Sequence, residues 1–192
     1  MPITASVPTV PKNNRKNMNK PRFTVLAGII LAAAASRLIP HPPNFTPVAA
    51  LALFGGASFA SKRVALLVPL AAMFLSDLVL GLSLITPVVY GSFALIVGLG
   101  LWLRRRKSFS RVAFAAIASA LLFFVLTNFG VWALGSWYPK TWAGLADCYV
   151  AAIPFFRNTL ASSLLYSALL FGGWALAEKR FASLRESAVA AA

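Results

Sequence analysis

The chain has 192 residues, of which 59% are hydrophobic and 11% charged, and its formal net charge is +14 at pH 7. Because a soluble domain is about a quarter charged, this composition excludes an ordinary water-soluble fold and is typical of an integral membrane protein. The basic residues lie in short clusters between apolar runs, which argues against nucleic acid as a partner, and a single cysteine excludes an internal disulfide.

The chain begins with a basic stretch, residues 1–22, that is rich in proline and asparagine and poor in bulky apolar side chains. Such a stretch buries too little surface to fold, which predicts a disordered cytoplasmic tail. Six apolar segments follow, at 23–39, 47–61, 63–82, 84–103, 111–134 and 158–177. Since about 20 helical residues cross a hydrocarbon core of about 30 Å, we expect an all-α membrane domain over 23–180 and a cytoplasmic tail over 181–192.

Segment 47–61 is short for a span, so its crossing depends on the basic residues. If it crosses, 15 lysines and arginines lie inside and three outside; if it does not, seven lie inside and 11 outside. Positive residues favour the cytoplasm, which predicts six spans with both termini inside, in a bacterial inner membrane. The basic run at 104–107 is then a topology anchor, with a partner-binding patch as the alternative.

The first span permits two further interpretations. A cleaved signal peptide is possible, because small residues follow its apolar centre, but the basic tail before it and the five spans after it favour an uncleaved helix. Gly28, Ala32 and Ser36 lie four residues apart. This spacing gives a face on which another helix, internal or from a partner, packs closely.

Polar side chains of the spans concentrate at the predicted outer ends. Arg37 ends the first span, Asp77 lies late in the third, Asn128 lies late in the fifth and Asn158 opens the sixth. Polar groups in hydrocarbon are costly and tend to face the bundle interior or a wet cavity. Their common depth predicts a single site that faces the exterior.

The loop between the first two spans is rich in proline and carries His41 and Asn44. Proline fixes its own φ and restricts the preceding residue, so the loop is stiff. A stiff loop suits ligand contact because little order is lost on binding. The alternative is a rigid turn in which the histidine and asparagine satisfy neighbouring backbone groups.

The outer connection at 135–157 is predicted to contain a short helix capped by Thr141. Its apolar face, with Asp147 pointing away, is formed by Trp142, Leu145, Tyr149 and Ile153. The aromatic residues near this connection are either interfacial anchors or the wall of an external pocket. The candidate ligand-binding residues are Arg37, His41, Asn44, Asp77, Asn128, Trp132, Trp137, Tyr138, Asp147 and Asn158.

Motifs for catalysis or metal binding are absent from the sequence. There is no H-E-x-x-H, no pair of cysteines and no G-x-S-x-G, and "GASFASKR" lacks the second glycine of a P-loop. We therefore expect no ATP hydrolysis, no metal and no cofactor. A membrane enzyme that uses an Asp/His pair and a structural or assembly protein remain as alternatives.

The string "RLIPHPPNFTPVAALALFGGASF" resembles the hallmark of a family of uncharacterised bacterial membrane proteins. The small-residue stretch that leads to Asp77 is similar to the helix 2–3 region of substrate-capture S components of energy-coupling-factor (ECF) vitamin transporters. This resemblance implies a six-helix bundle that binds a vitamin or cofactor precursor at its outer face, below a lid formed by the first loop.

The S-component resemblance also implies partners. Helix 1 would dock an ECF coupling subunit, which works with ATPases, through spaced alanines. Gly28, Ala32 and Ser36 are the matching positions, and two of them depart from alanine. For the ligand, Arg37 and Lys140 are expected to meet an anionic group, while the Trp/Tyr cluster is expected to stack on a flat ring.

Overall fold

The structure is a computed structural model that describes residues 20–185, and within that range the chain is helical without strands. Two short 3₁₀ helices, Ser36–Leu38 and Ala182–Leu184, accompany the longer elements. The α-helices are α1 (Lys20–Ala35), α2 (Val48–Ser58), α3 (Lys62–Leu80), α4 (Thr86–Leu103), α5 (Phe109–Leu134) and α6 (Trp142–Arg180). The all-α prediction is therefore confirmed over the described residues.

Five of these helices are long and apolar enough to cross a membrane, namely α1 with its 3₁₀ extension, α3, α4, α5 and α6. Their outward faces expose large apolar side chains such as Leu67, Phe74 and Phe114, as expected for a surface that contacts lipid tails. The prediction of a multi-pass membrane protein is confirmed. With 11 residues, α2 covers about 16 Å, which is less than a hydrocarbon core.

The short helix α2 is the centre of the bundle. All of its residues are buried, and it contacts each of the other five helices. Its closest neighbour is α4: a Cβ on Gly56 would lie 2.3 Å from the Val97 carbonyl oxygen, and one on Gly100 would lie 2.3 Å from the Leu53 carbonyl oxygen. The two backbones touch, and small residues are what permits such a crossing.

The first turn of α1 is clamped to the end of α6. Arg22 is 3% exposed and forms an ion pair of 2.6 Å with Glu178. The same carboxylate oxygen accepts from Trp174 Nε1 at 2.7 Å, and the guanidinium lies 5.2 Å from the Trp174 ring centroid. Arg22 also donates to the Leu184 carbonyl oxygen. The first turn of α1 and the last turns of α6 therefore lie at the same end of the bundle.

The predicted tails overlap only partly with the described residues. Of the tail assigned to 1–22, residues 20–22 form the first turn of α1, and residues 1–19 lie outside the described range. Of the tail assigned to 181–192, residues 182–184 form a 3₁₀ helix and Leu184 is buried, while residues 186–192 lie outside the described range.

Arg104, from the basic run at 104–107, closes the C-terminal end of α2. Its Nη1 donates to the Ala60 carbonyl oxygen at 2.9 Å, and its Nη2 donates to the Gly56 carbonyl oxygen at 3.1 Å. The last carbonyls of a helix have no intrahelical partner and favour a cation. This arginine therefore stabilises the central helix from the end of α4.

Helix α6 differs from the prediction. A short helix and a separate span at 158–177 were expected, but Trp142–Arg180 is one helix of 39 residues. Thr141 does cap it, since its hydroxyl accepts from the Gly144 N–H at 3.1 Å. At 1.5 Å per residue, these 39 residues extend about 58 Å, almost twice a hydrocarbon core. The helix is therefore longer than a single perpendicular crossing requires.

The apolar face predicted for this segment is not the face that packs into the bundle. Trp142 and Ile153 are 86% and 52% exposed, whereas Gly144, Cys148 and Ala152 are buried. Helices α5 and α6 are in contact, and small side chains permit close approach. The bulky residues consequently point outward, and the small ones form the packed face.

Candidate functional site

A cavity of about 520 Å³ lies near the end of the bundle where α1, α3 and α5 end. The loop after α1 contributes Arg37, His41 and Asn44 to its lining. Helices α5 and α6 contribute hydroxyl and amide groups, and α4 and α5 contribute phenyl rings. This is within the size range of pockets that bind small molecules.

Four predicted site residues line this cavity, three from the segment after α1 and one from α5. They are Arg37, His41, Asn44 and Asn128. The other candidates are not part of its lining, namely Asp77, Trp132, Trp137, Tyr138, Asp147 and Asn158. Polar residues from the first loop and from α5 are thus brought together, while the aromatic cluster after α5 lies elsewhere.

Asp77 lies behind the cavity wall and binds Arg37. Its Oδ1 lies 2.7 Å from Arg37 Nη1, and its Oδ2 accepts from the Tyr90 hydroxyl at 2.7 Å. Arg37 Nη1 also donates to Ser76 Oγ at 2.5 Å. The network joins the end of α1, the end of α3 and the start of α4, and it neutralises the arginine. Asp77 therefore positions Arg37.

The first loop is fastened to α6. Asn158 Nδ2 donates to the Pro43 carbonyl oxygen at 2.8 Å. Asn44 adopts a left-handed φ of 60°, which asparagine tolerates better than most residues, and the turn is closed by Phe45 N–H donating to the Pro42 carbonyl oxygen at 3.0 Å. Asn158 therefore holds the loop across the bundle.

His41 is exposed, and its Nδ1 lies 3.0 Å from the Pro42 carbonyl oxygen. Asp77 has its own partners in Arg37 and Tyr90. The two residues that a membrane enzyme would need as an acid–base pair are thus each engaged with other groups.

The Trp/Tyr cluster belongs to the turn between α5 and α6. Trp132 Nε1 donates to the Pro139 carbonyl oxygen at 2.9 Å, and Lys140 Nζ donates to the Trp132 and Gly135 carbonyl oxygens. Trp137 is 85% exposed, Asp147 is exposed and Tyr138 is half-buried. Trp132 and Lys140 form hydrogen bonds within the turn, and none of these side chains lines the cavity.

The aromatic wall of the cavity is formed by phenyl rings and not by the tryptophan and tyrosine residues that were candidates for that role. Phe93 of α4 and Phe123 of α5 stack with centroids 5.1 Å apart and an interplanar angle of 27°. Both line the cavity, as does Phe124. They were not among the predicted site residues because each lies within an apolar span, where a phenylalanine that faces lipid gives the same pattern.

Ser163 was also missed. It lines the cavity and is 1% exposed, and its Oγ has no hydrogen-bond partner within residues 20–185. An unpaired buried hydroxyl costs about 1–3 kcal/mol. A polar group on a bound molecule would satisfy it.

A family model described as "Family of unknown function (DUF6580)" matches residues 17–185. The chain belongs to this family. Membership in a family without an assigned activity is thereby confirmed. No curated protein and no solved structure matches the chain.

In this DUF6580 chain, the small residues of α1 face away from the bundle. Gly28 and Ala32 are exposed, and nothing lies within 4 Å of the position that a Cβ on Gly28 would take. Ser36 is half-buried and donates to the Ala33 carbonyl oxygen at 2.6 Å. The opposite side of α1 packs into the bundle through Leu26, Ile30 and Ala34.

Proposed function

We propose that the protein is a membrane-embedded substrate-binding subunit that captures a small molecule from the exterior for uptake. The observation that carries this proposal is the cavity of about 520 Å³, into which the first loop, α5 and α6 present polar groups. The buried, unpaired Ser163 hydroxyl in its wall supports a ligand. The role is that of an S component, and a vitamin or cofactor precursor is the ligand class that this likeness suggests.

We further propose six crossings with both termini inside, in a bacterial inner membrane. Arg37 at the end of α1 pairs with Asp77 near the end of α3, so these helices point the same way. The chain between them must return across the bundle, and α2 with its flanking residues makes that return. The cation-rich end that holds Arg104 and Lys179 faces the cytoplasm under this arrangement.

Reporter fusions test this topology. Fluorescent protein fused after residue 61 or after residue 107 should fluoresce, and alkaline phosphatase at the same points should be inactive, because both points lie in basic inner loops. A fusion after residue 137, in the outer turn, is the control and should behave in the opposite way. Active phosphatase at residue 61 would contradict the crossing of α2 and the exterior position of the cavity.

The exposed small residues of α1 form a face on which a partner helix can pack. Gly28 and Ala32 are exposed on α1, and small residues let a second transmembrane helix approach closely. We propose that this face docks an ECF-type coupling subunit, which would act with ATPases. The lack of a P-loop in this chain fits a subunit that relies on others for energy.

Filling the cavity tests the binding role. Ala152 lines the cavity, whereas Ala151, its neighbour on α6, is exposed. Native mass spectrometry of wild-type protein in gently extracted membranes should show a co-purified small molecule. Ala152→Phe should reduce that signal roughly tenfold, because the new ring occupies the ligand's space, while Ala151→Phe should retain it.

The result is interpretable only if the variants fold, so thermal melts accompany the spectra. If Ala152→Phe melts like wild type and keeps the small molecule, the ligand binds outside this cavity and the proposed site is wrong.

A further inference from the structure

We propose that the cavity selects an uncharged, planar molecule that carries N–H or O–H donors, and that it rejects carboxylates and phosphates. This inference rests on the proposed binding role and deepens it by naming the ligand class. It follows from two independent features of the lining: its charge balance and the direction in which its polar groups donate.

The charge balance comes first. Arg37 is the one lysine or arginine among the described residues of the lining, and Asp77 neutralises it at 2.7 Å. Lys140, the other cation expected to meet an anion, donates to the carbonyl oxygens of Trp132 and Gly135. Burying an ion without a counter-charge is costly. The one arginine of the described lining is therefore already paired with a carboxylate, which weakens its attraction for an anionic ligand.

A cationic ligand is disfavoured as well. No aspartate or glutamate within residues 20–185 lines the cavity, and the carboxylate of Asp77 is already bound to Arg37 and Tyr90. An ammonium group would gain no ion pair and would lie near a guanidinium. Ligands of either charge sign are thus disfavoured, and the charge balance of the described lining favours an uncharged ligand.

The hydrogen-bond direction specifies the ligand further. Asn128 Nδ2 donates to the Phe124 carbonyl oxygen at 2.8 Å, which orients its Oδ1 as an acceptor. Thr127 donates to the Phe123 carbonyl oxygen at 2.7 Å, and Thr159 donates to the Phe155 carbonyl oxygen at 3.1 Å. Each hydroxyl uses its single proton within its own helix, so its oxygen can offer the cavity only lone pairs.

On the α5 and α6 side of the cavity, acceptors therefore dominate the polar lining. Ser162 follows the same rule and donates to the Thr159 carbonyl oxygen at 3.0 Å, so Ser163 is the hydroxyl of α6 in this lining whose proton is uncommitted. A carboxylate or phosphate, which only accepts, meets mostly lone pairs. An amide, a lactam or a ureide presents the N–H groups that these acceptors need, together with one oxygen for Ser163.

The phenyl walls define the shape of the ligand. Phe93 and Phe123 stack in the lining, and a flat ring packs well against such a surface. An uncharged planar ring with donor groups satisfies the walls, the acceptors and the charge balance together.

Three matched probes separate charge from donor capacity. They are 2-naphthamide, which is neutral and donates; methyl 2-naphthoate, which is neutral and does not donate; and 2-naphthoate, which is anionic. Calorimetry uses the full chain in nanodiscs of phosphatidylcholine, and binding is counted only above that measured with Ala152→Phe. We expect 2-naphthamide to bind about tenfold tighter than either other probe, because it alone pairs the acceptors.

Two variants test the cause of this preference. Asp77→Asn removes the charge that neutralises Arg37 but keeps a side chain that can accept from Tyr90, so it should strengthen 2-naphthoate binding about tenfold. Asn128→Leu removes one acceptor and should weaken 2-naphthamide binding several-fold without changing methyl 2-naphthoate.

The outcomes separate the two proposals. If 2-naphthoate binds the wild-type cavity as tightly as 2-naphthamide, the inference on ligand class is overturned while the binding role stands. Equal affinity for the amide and the methyl ester overturns the donor requirement. If none of the probes shows binding that Ala152→Phe removes, the ligand class is overturned; the binding role then stands if native spectra still show a co-purified molecule that Ala152→Phe loses, and falls if they do not. Should Asp77→Asn fail to fold, the ranking in wild type and the Asn128→Leu variant still decide.

Discussion

Replacing Gly100 with alanine is expected to destabilise the bundle by about 3 kcal/mol or more, at the upper end of the range for overpacking. A Cβ at this position would lie 2.3 Å from the Leu53 carbonyl oxygen, 2.8 Å from the Gly56 Cα and 3.0 Å from the Ala57 nitrogen. All three atoms belong to the backbone of α2, so no side chain can rotate away. The two central helices would have to separate.

The separation is costly because of what surrounds α2. Every residue of this helix is buried, and it contacts all of the other helices. Moving α2 away from α4 loosens its packing against the rest of the bundle and disturbs the bonds from Arg104 to the Gly56 and Ala60 carbonyl oxygens. Gly56→Ala is expected to have a similar effect, since its Cβ would lie 2.3 Å from the Val97 carbonyl oxygen.

Gly98 provides the matched control on the same helix. It is exposed, and nothing lies within 4 Å of the position that its Cβ would take. Alanine there should be neutral or stabilising by up to about 1 kcal/mol, because alanine favours helix more than glycine does. Thermal and denaturant unfolding of the purified variants measure the difference. A Gly100→Ala protein that unfolds with wild type would show that α2 and α4 are farther apart.

The position of α2 illustrates what the sequence alone can establish. Basic residues on either side of 47–61 predicted that the chain returns across the bundle, while the length of the helix argued against a full span. The structure gives a helix of 11 residues that is buried all round. An even distribution of apolar and small residues is consistent with burial, but its depth and its partners follow from the packing of residues far apart in sequence.

Helix α6 shows where local signals mislead. Asn158 was expected to open a separate span after a short helix, yet one helix runs through Pro154 and Asn158. Pro154 removes one backbone hydrogen bond and crowds the preceding turn, but the packing of the buried Gly144, Cys148 and Ala152 favours continuing the helix. Tertiary contact outweighed the local preference, and it also decided which face became buried.

The lining of the cavity was predictable only in part. Arg37, His41, Asn44 and Asn128 were candidates because of their polarity at the ends of apolar segments, and all four line the cavity. That Arg37 binds Asp77 and Ser76, and that Phe93 stacks on Phe123, depends on contacts between different helices. Single residues with unusual polarity are visible in a sequence, whereas pairs are not.

Replacing Asp77 with alanine is expected to lower the stability of the ligand-free protein by about 3 kcal/mol, as when one partner of a buried ion pair is removed. Arg37 and Asp77 side chains are only 18% and 10% exposed. Without the carboxylate, the guanidinium stays largely buried with Ser76 as its remaining side-chain partner, and the Tyr90 hydroxyl loses its acceptor. Helices α1, α3 and α4 lose the contact that joins them at this end of the bundle.

Three further variants identify the cause of this loss. Asp147→Ala removes a carboxylate that is exposed on α6 and should leave the melting temperature unchanged. His41→Ala should also spare it, since that ring is exposed and contacts its own loop. The double variant Arg37→Met/Asp77→Leu should recover much of the loss, because no unpaired charge remains.

The same melts distinguish a positioning role from direct ligand contact. If Asp77 positions Arg37, the alanine variant melts early with or without 2-naphthamide. If Asp77 instead contacted the ligand, the variant would melt like wild type in the free state and would lose only the stabilisation that the probe adds. Because Asp77 is outside the cavity lining and its two oxygens are 2.7 Å from Arg37 and from Tyr90, we expect the first pattern.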